Sequence, residues 1–420
     1  MKSSTRVPAR ALAWLGLGLA FIAFSQLDFV SAPNSFFFSY CLLFPALFFV
    51  YQVEQESSPG LAKLLFFALI STGLFLGKDP ILSDDLYRYL AEGNAQKQGI
   101  NPYLVAPQDY GYQDELTSKV NHPQYTAIYP PFFQLVMKSL SYIGYSVLGL
   151  QIFCLFAFLI TGILIYKLAE NKADSVFYFF NPFIVVEGVW HAHIELLISF
   201  LLIAGLYLFT LKKEFLSSLS LGAAIALKWV PAIYLPLLFL KLGNKRTVIG
   251  AGFVTFVSFL FFLDAPFAIF DSLSTYVGHW EFASPLFKGL LAVGLSKTIV
   301  KVLLLALFLS CFGLLCRLLW QGKLSLAESF SWTSFIFPYC GATLYPWYIL
   351  PAAVLFPLTK HWFVLAFCLF SMFTYHTVPD WLTKEIWMET NWQLLWNSIP
   401  LLVAARHIFR ELSLKKLKRT

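Results

Sequence analysis

Charge is the scarcest commodity in this sequence. Asp, Glu, Lys and Arg together make up 13% of its 420 residues, where a soluble domain carries about a quarter. Set against 58% hydrophobic residues, that shortage excludes an ordinary water-soluble globule. Cysteine is sparse and unpatterned. Cys41, Cys154, Cys311, Cys316, Cys340 and Cys368 sit mostly inside apolar runs, and none forms a CxxC pair or a ligand cluster. They read as packing residues, without a disulfide or metal role. The chain also lacks internal repeats, low-complexity segments, a long linker and the alternating apolar period of an outer-membrane barrel. What remains is a series of continuous apolar runs joined by short connections. This pattern predicts an all-α, polytopic integral membrane protein. Its 45 Phe, 20 Tyr and 12 Trp suit lipid contact and interfacial belts.

The basic residues set a sidedness. Lys2, Arg6 and Arg10 precede an apolar run over 11–29. The run is long for a signal peptide, and the SAPNS that follows is a weak cleavage site. It reads as a first transmembrane helix with a cytoplasmic N-terminus. Spans at 35–52 and 61–77 then bring Ser83 out on the opposite side. A loop over 78–130 follows, and the amphipathic run 131–145 reads as interfacial or re-entrant. Full or shortened spans are expected at 148–168, 175–189, 190–211, 215–228, 229–241, 247–264, 296–318, 325–343, 345–358, 362–379 and 391–408. That gives about 12–14 transmembrane or partial helices. The pairs 215–241 and 325–358 suit broken helices lining a cavity. On this layout Lys167, Lys172, Lys212, Lys213, Lys241, Lys245, Arg246, Arg317, Lys323, Lys360 and the tail from Arg406 to Arg419 face the cytoplasm, as the positive-inside rule requires. The chain divides as N-terminal helices (1–77), an extracytoplasmic loop with interfacial helices (78–146), a helical bundle (147–408) and a basic cytoplasmic tail (409–420). The net charge of +7 lies largely in that tail, where it suits anionic membrane lipid and implies no nucleic acid.

The longest polar interval, 83–107, organises the rest. Ser83 suits an N-cap, and acids in a first turn suit the positive end of a helix dipole. A helix from there places Asp85, Arg88, Tyr89 and Glu92 at i, i+3, i+4 and i+7, on one face. Gly99 and Asn101-Pro102 stop it. The plain reading is an amphipathic helix on the membrane surface with a solvated acidic face. The functional reading is a carboxylate acting as a base at a membrane–water boundary.

Further polar motifs converge on the same side. These are Asn121-His122-Pro123 with Tyr129-Pro130-Pro131; Asn181-Pro182 with Glu187, His191, His193 and Glu195; Lys228-Trp229-Val230-Pro231; His279-Trp280-Glu281-Phe282; and Tyr345-Pro346-Trp347-Tyr348. Ionisable groups at membrane depth are costly and face a cavity or a partner. His191, His193 and Glu195 have zinc-ligand types, but i, i+2, i+4 spacing does not put all three on one helix face. Satisfied interfacial histidines are the simpler reading, with His193 and Glu195 lining a cavity. Lys228 either snorkels to the interface or meets a lipid phosphate in a low-dielectric cavity. Arg88 has the same two readings, and a third as partner of Asp85 or Glu92. Pro346-Trp347-Tyr348 also fits an aromatic belt around a helix break.

The run Ser83-Asp84-Asp85-Leu86-Tyr87-Arg88-Tyr89, followed by Glu92-Gly93, Gly99 and Asn101-Pro102-Tyr103, resembles the first-loop signature of GT-C membrane glycosyltransferases. It is most similar to bacterial polyprenol-phosphate-mannose-dependent mannosyltransferases, and the later motifs fall in that group's order from about residue 80 to 350. Asp85-x-x-Arg88-Tyr89 is also similar to a motif of lipid A aminoarabinose transferases, of the same superfamily. Two positions depart: Ala91-Glu92-Gly93 stands where the family commonly has Trp-Asp-Gly, and Ala283 where it commonly has Asn.

The resemblance implies a GT-C-like fold in a bacterial inner membrane. It implies transfer of a hexose, with mannose the family-weighted choice, from a polyprenyl-phosphate sugar to a hydroxyl of a glycolipid, polysaccharide or protein. The site would face away from the cytoplasm, and a single displacement would invert the anomeric carbon. Asp85 is the expected base, with Asp84 as second choice or acceptor-orienting partner. Lys228 and Arg88 are the expected phosphate contacts. Tyr89, Glu92, Asn101, His122, Tyr129, Glu187, His193, Glu195, His279, Trp280, Trp347 and Tyr348 are the expected cavity residues. No cofactor is expected; a divalent metal is compatible but not required. The alternatives weighed are a secondary transporter, a lipid-linked flippase, an O-antigen-type polymerase or ligase, and a structural scaffold. The first would show paired halves and a midplane site, the second would lack the early acidic loop, the third would carry its large loop late, and the last leaves the converging polar residues unexplained.

Overall fold

The computed structural model describes residues 6–417 except Ser57, Asn244 and Pro266, with side chains omitted for Arg6, Val7, Lys245, Arg246, Val277 and 411–417. Lys2, Lys418 and Arg419, expected at the cytoplasmic face, lie outside the described residues, and the side chains of Lys245 and Arg246 do too.

The described residues form helices, with no strand beyond isolated bridges between the 282–283 and 343 loops. α1 (Arg6–Ser25) and α2 (Pro33–Glu54) lie antiparallel. Trp14 Nε1 donates to Glu54 Oε1 at 2.8 Å, and Arg10 Nε donates to the Val53 carbonyl at 3.1 Å. Lys63, at the start of α3 (Leu61–Gly73), pairs with the same buried Glu54 at 2.5 Å. A buried carboxylate is thus neutralised at the membrane end of three helices, as burial of charge demands.

After α3 the chain turns at Gly77 and enters α4 (Asp85–Lys97). The N-cap position is taken by Asp84 rather than the expected Ser83. Ser83 Oγ instead accepts from the Asp85 amide at 3.4 Å, inside the preceding turn. Gly99, with φ of +82°, ends the helix as expected. α4 packs on α5 (Pro131–Gly144) so closely that a Cβ on Gly93 would sit 2.4 Å from the Met137 carbonyl oxygen. Only glycine fits there.

α6 (Val147–Leu168) is a full-length apolar helix. The expected span 175–189 is not one helix. It is a short α7 (Val176–Phe179), a break, and a π-helical turn at Ile184–Trp190. Pro182 lacks an amide donor, and Asn181 Oδ1 accepts from the Phe183 amide at 3.1 Å, so the chain restarts rather than continues. A bend of 108° separates that turn from α8 (Glu195–Thr210). α9 (Glu214–Leu227) packs against α8 through Ser217 and Ser220 hydroxyls donated to the Gly205 and Leu201 carbonyls. Small residues allow this close approach within a membrane.

α10 (Leu235–Leu242), α11 (Lys245–Phe259), α12 (Ile269–His279), α13 (Pro285–Ala292), α14 (Lys297–Trp320), α15 (Leu326–Tyr339), α16 (Leu350–Thr359), α17 (Trp362–Phe370), α18 (Val378–Lys384) and α19 (Asn391–Leu417) complete the chain. α15 begins with a capping box between Ser325 and Glu328. Its break from α16 falls at residues 340–345, within the pair expected to be a broken helix.

Among the described residues, five segments are long and apolar enough to cross a membrane: Pro8–Ser25, Pro33–Glu54, Val147–Leu168, Lys297–Trp320 and Trp362–Lys384. The bent pair around residues 191–194 makes a sixth if it is one span. Leu61–Gly73, Glu214–Leu227, Val230–Leu242, Thr247–Phe262 and Pro346–Thr359 are shorter apolar helices. Several apolar crossings in an all-helical chain make this a polytopic membrane protein.

Candidate active site

The loop that delivers α4 is fixed to the 184–194 break by three side chains. Gln151 donates to the Lys78 and Trp190 carbonyls and accepts from the Gly77 amide. Trp190 Nε1 donates to the Asp79 carbonyl at 3.1 Å. His191 Nε2 accepts from the amides of Ile81 and Leu82 at 3.2 and 3.0 Å, and its Nδ1–H donates to the Val186 carbonyl at 2.9 Å. These partners define one neutral tautomer, so His191 is a bracket and not a ligand.

Asp84 and Asp85 diverge from that anchored loop. Asp84 Oδ1 accepts from Asn121 Nδ2 at 2.5 Å. Burial first, and the neighbouring Asp85 charge second, push its carboxyl up to about 7. Asp85 keeps 26% of its side chain exposed. Its Oδ2 accepts from Tyr89 at 3.4 Å and lies 3.9 Å from His193 Nδ1. Adjacent carboxylates on a helix start point apart, so one is held by a loop and the other stays partly exposed.

Behind Asp85 the polar side chains continue inward. His193 is fully buried and stacks on Trp347 with ring centroids 4.1 Å apart and planes 12° from parallel. Its Nε2 lies 3.3 Å from Glu187 Oε2. Glu187 Oε1 accepts from the Tyr375 hydroxyl at 2.8 Å.

A cation lines the other side of the cleft. Lys228, the C-cap of α9, pairs with Glu195 at 2.5 Å and sits over the rings of Tyr129 and Tyr348, 5.7 and 5.0 Å from their centroids. The Tyr129 hydroxyl meets that of Tyr89 at 3.3 Å, which links the Lys228 side to the Asp85 side. Tyr348 shares a hydrogen bond with Tyr276, and Tyr276 stacks on Trp280 at 5.3 Å. Trp280 in turn meets His122 edge-on at 4.9 Å. The result is an aromatic wall on which a sugar ring could stack.

Arg88 is committed elsewhere. Its guanidinium donates to the carbonyls of Asn121, His122 and Tyr125 at 2.7, 2.8 and 3.2 Å and reaches Glu92 at 3.4 Å. Of the readings open to it, the partner of Glu92 is the one the geometry carries. It pins the 121–125 loop, including the Asn121 that holds Asp84. His122 adopts φ of +45° within that loop, and its imidazole is pushed down by burial first and the Arg88 charge second.

Three expected cavity residues point elsewhere. Glu92 is buried between α4 and α5, where Gln134 Nε2 donates to it at 2.7 Å; burial raises its carboxyl, and Arg88 and Gln134 oppose that rise. Asn101 closes its own turn onto the Tyr103 amide and donates to Asp264 at 2.9 Å. His279 is exposed, with Nδ1 on the Thr275 carbonyl of its own helix. Tyr276 and Tyr375 were not legible beforehand. Tyr276 could have been found as the residue one helical turn before Trp280; nothing in the sequence around Tyr375 marks it. Among the described residues, no group of three His, Cys, Asp or Glu side chains could hold a metal ion.

A part-exposed carboxylate, a paired cation and an aromatic wall, linked through the Tyr89–Tyr129 hydroxyl contact, suit deprotonation of a hydroxyl beside an anionic leaving group. The family model described as an alpha-(1->6)-mannopyranosyltransferase N-terminal domain matches residues 2–243. No curated protein and no solved structure matches the chain.

Proposed function

The chain belongs to the alpha-(1->6)-mannopyranosyltransferase family, and from that premise we propose a GT-C-type transferase that takes mannose from a polyprenyl-phosphate carrier. The acceptor is a hydroxyl of a glycolipid, polysaccharide or protein on the extracytoplasmic side. Asp85 removes the acceptor proton as its oxygen attacks the anomeric carbon; the bond to phosphate breaks, and polyprenyl phosphate leaves with the electron pair. One displacement inverts that carbon, and no covalent enzyme intermediate is needed.

The observation that carries this reading is the division of labour between Asp84 and Asp85. Asp84 is tied to Asn121, while Asp85 stays open to the cleft. A carboxylate suffices because its task is completed as the hydroxyl becomes acidic in the transition state. Lys228 supports the leaving phosphate: its ammonium has three donors, one is spent on Glu195, and a fixed cation near developing charge lowers the barrier. Arg88, bound to three carbonyls, acts by holding the loop. The gathering of these groups around one cleft argues against a secondary transporter, whose site lies between paired halves.

The test is release of polyprenyl phosphate by the purified protein in nanodiscs from polyprenyl-phosphate mannose, with octyl α-mannoside as acceptor. Wild-type release with a new mannoside, and loss of roughly 100-fold or more in Asp85→Asn at unchanged donor binding, is the expected outcome. Near-normal turnover by Asp85→Asn removes Asp85 from the mechanism.

A further inference from the structure

The buried imidazole behind Asp85 has unmet hydrogen-bonding capacity. His193 and Glu187 are both 0% exposed. Neither ring nitrogen of His193, nor Glu187 Oε2, makes a hydrogen bond of normal geometry. Buried polar groups left this way are costly, so such a cluster is retained for a reason. Packing alone does not explain it, because Trp347 already fills the face of the ring.

The two carboxylates beside the ring are not equivalent. Glu187 Oε2 is 3.3 Å from Nε2, whereas Asp85 Oδ2 is 3.9 Å from Nδ1. Glu187 is itself oriented by the Tyr375 hydroxyl on its other oxygen. The nearer, fixed carboxylate favours a proton on Nε2, which leaves the Nδ1 lone pair directed towards Asp85. A carboxylate that sets the tautomer of an imidazole, and an imidazole that faces a group gaining a proton, is the arrangement of a proton acceptor.

We infer that His193, oriented by Glu187 and Tyr375, receives the proton that Asp85 takes from the acceptor. This rests on the transferase reading above. The steps balance. The acceptor O–H proton moves to Asp85 Oδ2 as the glycosidic bond forms and the bond to phosphate breaks. The same proton then moves to His193 Nδ1, which becomes an imidazolium beside the Glu187 carboxylate, and Asp85 returns to its anion. After product leaves, the proton returns through Asp85 to water in the open cleft. The gap of 3.9 Å closes when substrate fills the cleft, as hydrogen bonds in unliganded sites commonly do. His193 and Glu187 are therefore positioning residues that act through Asp85.

The titratable groups facing the ring are few. Asp85 comes from the start of α4 with Asp84 beside it, whose charge also acts on the ring, Glu187 comes from the π-helical turn, and His191 stacks at 6.4 Å from the same break. His191 has both nitrogens occupied by backbone. Trp347 covers one face of the ring, and Tyr375 reaches it only through Glu187. The pH dependence of turnover then belongs to Asp84, Asp85 and His193 as a coupled unit.

The experiment measures kcat and KM between about pH 5 and 8.5 for wild type, His193→Gln, His193→Asn and Glu187→Gln. It uses polyprenyl-phosphate mannose and octyl α-mannoside in nanodiscs, with thermal melting confirming each fold. The inference expects kcat to fall roughly 10- to 100-fold in both His193 variants with KM for donor near wild type. The acid limb of the kcat profile moves from its wild-type position, because the imidazole no longer shares the proton with Asp85. Glu187→Gln gives a smaller fall in kcat with a shifted limb. A His193→Gln enzyme with kcat within about twofold of wild type and the same acid limb overturns the relay. If one His193 variant does not fold, the other and Glu187→Gln carry the same two readouts. A wild type that releases no polyprenyl phosphate overturns the transferase reading and the relay with it; an active wild type with an unchanged His193 profile overturns the relay alone.

Discussion

Lys228 and Glu195 meet at 2.5 Å beneath two tyrosine rings, at the point where one helix ends and another begins. Glu195 opens α8 and Lys228 follows α9, so the pair ties two antiparallel helices at the cleft. The pair is more buried on the Glu195 side, at 5% exposure against 20%. The carboxylate therefore depends on the cation more than the reverse.

Lys228→Ala has two separable consequences. It leaves a buried carboxylate unpaired, which lowers stability by about 1–3 kcal/mol. It also removes the proposed phosphate contact, so KM for the polyprenyl-phosphate donor rises about tenfold or more. Adding Glu195→Gln to Lys228→Ala restores the melting temperature but not donor affinity. Donor titrations and melting curves on the single and double variants check both parts. Unchanged donor dependence in Lys228→Ala leaves Lys228 as a structural residue only.

Asp84 gives the fold a pH dependence of defined sign. Its carboxyl titrates at about 7 in the folded chain against 3.8 for the free group. Between those values the folded chain holds a proton that the unfolded chain has lost. The stabilisation is thus full below about pH 3.8 and is lost as pH rises through about 7. Asp84→Asn keeps an acceptor for Asn121 and cannot ionise. Its melting temperature is expected to match wild type near pH 4, to exceed it increasingly up to about pH 7, and to stay ahead by a constant margin above that. A melting difference that does not vary with pH contradicts the assignment.

Arg88→Lys tests the loop bracket. A lysine keeps the charge near Glu92 but cannot fork to the carbonyls of Asn121, His122 and Tyr125. The expected outcome is a stability loss of about 1–3 kcal/mol and faster proteolysis within 115–130. Loss of turnover should accompany it, with donor KM less affected than in Lys228→Ala. The reverse order of KM effects would return Arg88 to the donor site.

Much of this was legible from residue order. The polar stretch at 83–97 forms the helix that its spacing implies, with Asp85 and Tyr89 in contact and Arg88 and Glu92 in contact, each pair four residues apart. Such pairs follow from the helical repeat alone. Pro346 marked a real break, because a missing amide and a fixed φ act locally; Pro182 makes another inside what was expected as one span. The length of continuous helix was less legible. Residues 175–189 are mostly apolar yet divide into short turns, and apolar character says that a segment is buried, not that it is straight.

Composition and order by themselves determined that the chain enters a membrane as helices and that its longest polar interval carries two adjacent acids. The reason is physical: hydrocarbon admits only helices or closed barrels, and few charges leave little choice of where they go. The tertiary structure decided which charge is open. Arg88, Glu92 and His191 have the same chemistry on paper as Lys228, Asp85 and His193, but backbone carbonyls, amides and a glutamine close the first three. Those partners lie tens of residues away in sequence. A hydrogen bond depends on distance and direction in space, and neither is written in the chain until it has folded.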